Sequence, residues 1–191
     1  LFGVEVPDAR PPVVKSVFVY PISEDAQVNQ NANPMRLKLI PQGNGMFLAE
    51  KIQASGDLGF AVSAFDQQDA AHNQNGIYSV KTSFNGEKIF EVIMDKFTFA
   101  ETQYINRFID YKEFKKSKDR LKKLFLEENN PLSIITYHHQ RGYVTIEDGF
   151  DSMYTIEVFD YNGNRTLISV PIEGKKQPIL NHRELLTSPF Y

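Results

Sequence analysis

A chain of 191 residues suffices for one large domain or two small ones, and its 41% hydrophobic content can fill a core. A net charge of −3 argues against a polyanion binder, and the absence of cysteine excludes disulfides and thiolate metal sites. No apolar run approaches the ~20 residues of a membrane-spanning helix, so no membrane span is expected.

Pro7, Pro11 and Pro12 favour extended backbone and bar helix, so residues 1–12 read as a linker. From Val13 to Tyr20 apolar residues occupy both alternating faces, which predicts a strand covered on two sides. Glu24 to Pro34, rich in Asn, Asp and Gln, reads as a surface loop. Met35, Leu37 and Leu39 then alternate, and Gly43-Asn44-Gly45 turns the chain into MFLAEKIQA, a further strand before Gly56. Leu58, Phe60, Val62 and Ala64 share one face of the next strand, and Tyr78, Val80, Thr82 and Phe84 one face of another. Asn85-Gly86 tolerates positive φ at both positions, so KIFEVIM is expected to return as a hairpin partner.

From Glu101 to Phe125 there is neither proline nor glycine, and Tyr104, Ile105, Phe108 and Ile109 recur at helical spacing. One or two short helices are expected, broken near Asp110. LSIITYHH and GYVTIEDG read as short strands. Tyr154, Ile156 and Val158 face Ile168 and Val170 across Asn162-Gly163, a second hairpin. Residues 173–191 have little period and read as a tail or the start of a further segment. Many short strands without β-α-β alternation predict an all-β, immunoglobulin-like antiparallel β-sandwich over residues 13–172, with a short helical insertion around 101–125. Two packed sub-domains are the alternative.

The loop between the strands at 58–65 and 77–84 is longer than a hairpin requires. Asp66, Asp69, Asn73 and Asn75 supply hard oxygen ligands there, a candidate calcium loop. The competing reading is a turn in which these side chains bond their own backbone. Lys112, Lys115, Lys116, Lys118, Arg120, Lys122 and Lys123 give residues 112–123 a local charge of +5, leaving −8 for the remainder. They form a candidate patch for an anionic partner, against the plainer reading of a solvated helix face. No aromatic platform accompanies them, so nucleic acid is not expected. Tyr137, Tyr143, Tyr154 and Tyr161 cluster late in the sequence, as a glycan shelf or as packing. His72, His138, His139 and His182 lack ligand spacing for zinc, and no nucleophile elbow or phosphate loop is present.

The run AFDQQD, N-x-N-G-I-Y, N-G and DKF-x-F-x-E-T-x-Y-I-N-x-x-I-D-Y resembles the region following the catalytic domain of bacterial lysostaphin-like zinc metallopeptidases. LFGVEVPDARPPVVKSVFVYP likewise resembles the segment after their last zinc-binding histidine. The resemblance covers roughly residues 1–172. It implies an upstream catalytic domain of the same polypeptide, which would hold the zinc and cut peptidoglycan cross-links. The family's H-x-x-x-D and H-x-H ligand motifs match no position here, so the chain itself is expected to be non-catalytic. Its expected role is an accessory domain that positions or braces the catalytic domain, in the periplasm or at the cell surface. Peptidoglycan or another anionic cell-wall polymer is the expected partner, and any export signal is expected upstream of Leu1. An independent surface module for carbohydrate or protein is the alternative.

Overall fold

A computed structural model describes residues 8–67, 74–95, 101–128, 130–137, 140–176 and 178. Eight strands come first: β1 (Val13–Pro21), β2 (Gln27–Val28), β3 (Met35–Arg36), β4 (Leu39–Gly43), β5 (Met46–Ala49), β6 (Ile52–Phe65), β7 (Ser79–Phe84) and β8 (Glu87–Ile93). Helices α1 (Thr102–Phe108) and α2 (Tyr111–Ser117) follow. The chain then adds β9 (Lys122–Lys123), β10 (Ile135–Tyr137), β11 (Val144–Ile146), β12 (Asp151–Phe159) and β13 (Arg165–Gly174). The protein is all-β with this helical pair, and among the described residues no helix is long and apolar enough to cross a membrane.

The strands form one curled sheet whose main path runs β10-β8-β7-β12-β13-β6-β1-β3. Its hinge is β6, which spans 14 residues. The first part of β6 lies parallel to β13, from Ile172↔Ile52 to Gly174↔Ala54, and the second part pairs antiparallel with β1. Gly56, at φ +78°, stands between them, and a Cβ there would lie 2.8 Å from the Ala26 Cα. The glycine expected to end a strand therefore bends one continuous strand, because the close backbone of Ala26 leaves no room for a side chain.

Two further expectations are corrected. The polar stretch Glu24 to Pro34 is not all surface: Ala26, Gln27 and Val28 are buried, and β2 pairs with β6 at Gln27↔Ser55. The segment MFLAEKIQA is not one strand but two, β5 and the start of β6, laid successively and in parallel along β13. Between them Lys51 reaches Asp151 at 3.3 Å and Glu173 at 3.9 Å. These parallel contacts depart from a purely antiparallel plan.

Curling brings Phe60 of β6 onto Tyr154 of β12, rings stacked at 3.9 Å and both fully buried. Leu58, Val62, Val80, Phe90, Ile156 and Ile168 pack around them. The opposite face of β6 is also covered. Ala61 joins Tyr20, Leu121 and Phe125 in a smaller cluster, and a side chain at Gly59 would strike the Phe125 ring at 2.5 Å. The helical pair is tied down at Asp110, where α1 has ended and α2 begins. Asp110 Oδ1 accepts from the Glu113 N–H at 3.0 Å, an N-cap bond, and Oδ2 accepts from the Tyr20 hydroxyl at 2.7 Å. Burial pushes the Asp110 pKa up, but those donors and the Lys123 charge outweigh it and hold the carboxyl below its ordinary range.

Truncating Ile156 to Ala is expected to cost about 2–5 kcal/mol in a urea melt, since the site is sealed on both sides. Gly56→Ala is expected to cost about 1–3 kcal/mol despite alanine's better strand propensity. A neutral result for Gly56→Ala would place the bend elsewhere.

Candidate functional site

The basic segment does not stay together on one helix face. Lys118 adopts the left-handed conformation at φ +62° and closes α2, its N–H bonding the Phe114 carbonyl. The chain then reverses, buries Leu121, and pairs β9 with Val62 and Ala61 of β6. This splits the seven predicted cations. Lys112, Lys115 and Lys116 remain on the exposed face of α2, and Lys123 pairs with Glu127. Lys118, Arg120 and Lys122 turn toward a cleft of about 360 Å³, which Lys15 of β1 enters from the other side.

Among the described residues, four cations thus meet one lining carboxylate, Asp119, which accepts from the Ser16 hydroxyl at 3.4 Å. None of the four has an ion-pair partner among the described residues. Lys15 lies 5.1 Å from the Phe65 ring centre, and Lys118 and Arg120 lie 5.7 and 6.0 Å from that of Phe114. Aromatic faces stabilise these charges without neutralising them. Lys122 donates to the Ala64 carbonyl at 3.4 Å. Burial, then the neighbouring Arg120 charge, draws its ammonium down to about 8. Such a cleft is suited to a ligand bearing negative charge.

Of the predicted calcium loop, Asp69 and Asn73 lie outside the described residues. Asp66 and Asn75 pair through both backbone N–H groups, at 3.0 and 2.7 Å. Asn75 is exposed beside the basic cleft, whereas Asp66 is buried and meets Asp8 and Asp160. One oxygen from each of these three carboxylates lies within 4.8 Å of the others. Like charges at that separation repel by roughly 3–4 kcal/mol per pair at an effective dielectric near 20. Burial, followed by the charges of Asp8 and Asp160, pushes the Asp66 pKa up.

Each acid is delivered by a different piece of chain. Asp66 stands at the end of β6. Asp160 ends β12 and accepts from the Asn164 backbone N–H at 2.8 Å and from its Nδ2 at 2.7 Å. The same Asn164 Nδ2 donates to the Asp8 carbonyl at 2.9 Å, and Thr166 donates to the Pro12 carbonyl at 2.6 Å. Residues 8–12 are thereby fastened to the β12–β13 hairpin. Sequence reasoning missed Asp8 and Asp160, because residues 8, 66 and 160 carry no spacing signal.

The tyrosines do not form a shelf. Tyr154 is in the core and Tyr143 packs on Phe125, while Tyr161 is exposed and meets Tyr78 edge-on at 5.5 Å. His72, His138, His139 and His182 lie outside the described residues. No family model, curated protein or solved structure matches the chain.

Lys122 gives a pH signature. Its folded pKa of about 8 lies below the ordinary 10.5, so the folded state binds fewer protons between those values and stability rises with pH across them. Lys122→Met is expected to be at least as stable as the parent near pH ~7. Its advantage should narrow as pH rises from about 8 toward 10. Denaturation curves showing a pH-independent difference would contradict burial of this ammonium.

Proposed function

We propose that the chain is a non-catalytic accessory β-domain of an exported cell-wall zinc metallopeptidase, located in the periplasm or at the cell surface. On this reading it braces the catalytic domain of the same polypeptide on its polymer, and zinc belongs to that catalytic domain. The observation that carries the reading is the cleft in which Lys15, Lys118, Arg120 and Lys122 face, among the described residues, the single carboxylate of Asp119. A surface of this charge suits peptidoglycan or another anionic wall polymer, whose phosphates or carboxylates would replace the missing counter-charges. The lysostaphin-like resemblance supports the same assignment, because its AFDQQD and N-x-N-G runs include Ala64, Phe65, Asn75 and Gly76, which line that cleft. An immunoglobulin-like sandwich is the finer fold we assign, supported by the stacking of Phe60 of β6 on Tyr154 of β12 where the sheet curls.

Cosedimentation of the purified chain with intact sacculi, and with sacculi stripped of anionic polymer, tests the assignment. Binding to intact sacculi is expected, lost near ~0.5 M salt as screening sets in. Arg120→Ala combined with Lys118→Ala should weaken it several-fold. Lys88→Ala, whose ammonium pairs with Glu91 at 2.6 Å, should leave it unchanged. Equal, salt-sensitive binding to stripped sacculi would assign the cleft to the carboxylates of peptidoglycan itself, whereas binding that resists salt would overturn the anionic-polymer reading and favour an independent carbohydrate module. Chelator-sensitive release of new amino termini from cross-linked wall peptide by the chain alone would overturn the non-catalytic assignment.

A further inference from the structure

We infer that Asp8, Asp66 and Asp160 form a calcium site that clamps residues 8–12 to the β12–β13 hairpin. The inference is independent of the basic cleft. Two observations carry it. One oxygen from each carboxylate lies within 4.8 Å of the other two, drawn from three distant parts of the chain. Independently, Asp66 is only 6% exposed, and among the described residues its buried Oδ1 has no hydrogen-bond partner. A carboxylate oxygen removed from water without a donor is costly, and a bound cation supplies the missing partner.

The donor set selects the ion. All three groups are hard oxygens, which suit calcium or magnesium over zinc or copper. Calcium binds oxygens at ~2.3–2.6 Å, so ligands on opposite sides of one ion stand up to about 5 Å apart. Magnesium binds at ~2.0–2.1 Å and demands near-octahedral geometry. Three carboxylates converging from separate segments therefore suit calcium, which takes about 6–8 oxygens in flexible geometry, over magnesium, which ordinarily keeps several waters and takes one or two carboxylates. Asn164 sets the geometry: its backbone and side-chain N–H groups hold the Asp160 carboxylate while its Nδ2 also holds the Asp8 carbonyl. The cluster's formal charge of −3 falls to −1 with one calcium bound. This ligand set shares only Asp66 with the loop reading of Asp66, Asp69, Asn73 and Asn75, so the two can be told apart.

The test uses the full chain, stripped with chelator and titrated with calcium chloride or magnesium chloride. Calcium at millimolar concentration is expected to raise the melting temperature and to slow amide exchange in residues 8–10 and 160–164. Asp160→Asn and Asp66→Asn should each weaken calcium affinity at least about tenfold, while Asp69→Asn leaves it intact. Should Asp160→Asn disturb its hairpin, Asp8→Asn decides the matter, because that residue lies on the entering segment outside every strand. The site is refuted by an unchanged melting temperature in calcium, or by a calcium response that survives both Asp8→Asn and Asp66→Asn. Loss of the response in Asp69→Asn alone would return the ligands to the loop, and an equal response to magnesium would overturn the choice of calcium.

Discussion

The fold depends on one strand belonging to two arms of the sheet at once. Before Gly56, β6 is a parallel neighbour of β13; after it, β6 is the antiparallel partner of β1. The bend is possible only where the chain has no side chain, because the Ala26 backbone occupies the space a Cβ would need. Once bent, β6 must be apolar on both faces. Leu58, Phe60 and Val62 meet the main core, while Gly59 and Ala61 accept the Phe125 ring and its neighbours. Small residues on the second face let the helical segment approach closely, and that approach delivers Lys122 to the cleft.

The end of the same strand divides the electrostatics. Phe65 and Asp66 are consecutive, so an extended backbone sends them to opposite sides. Phe65 faces the basic cleft beneath the Lys15 ammonium, and Asp66 faces the acidic cluster. Regions of opposite sign are held apart by a single β-strand's thickness. Neither is neutralised by the other, so each remains available to a ligand of opposite charge.

Local chemistry was readable in the sequence, and long-range placement was not. Asn85-Gly86 takes positive φ at both positions and makes the two-residue hairpin it predicts, because turn preference is a property of the dipeptide itself. The two-sided apolar pattern of Val13 to Tyr20 corresponds to burial on both faces, Val17 and Val19 in the large core and Tyr20 in the small one. The helical break at Asp110 was also legible, since an aspartate there can cap the next helix. By contrast, Ala26 to Val28 is buried amid polar residues by what packs on it. Tyr154 looks like any strand tyrosine until the curl places Phe60 above it. The candidate sites follow the same rule. The basic run could be seen but not its division between α2 and the cleft, and Asp66 could be seen but not its partners.

The run of Met46 to Ala54 along β13 governs the order in which the molecule can be assembled. Met46 lies opposite Leu167 and Ile52 opposite Ile172, pairings that join residues roughly 120 positions apart. Closing so long a loop costs entropy before any contact repays it, and parallel pairing offers no hairpin through which to zip. The hairpins β7–β8 and β12–β13 can form by themselves, and β4 and β2 can pair early with β5 and the start of β6, but the other edge of β5 and β6 waits for β13. A chain emerging amino terminus first therefore cannot close this sheet until β13 is available. Closure of the sheet is expected to be slow and late, and mutations near Gly174 should delay the same step as mutations near Ile52.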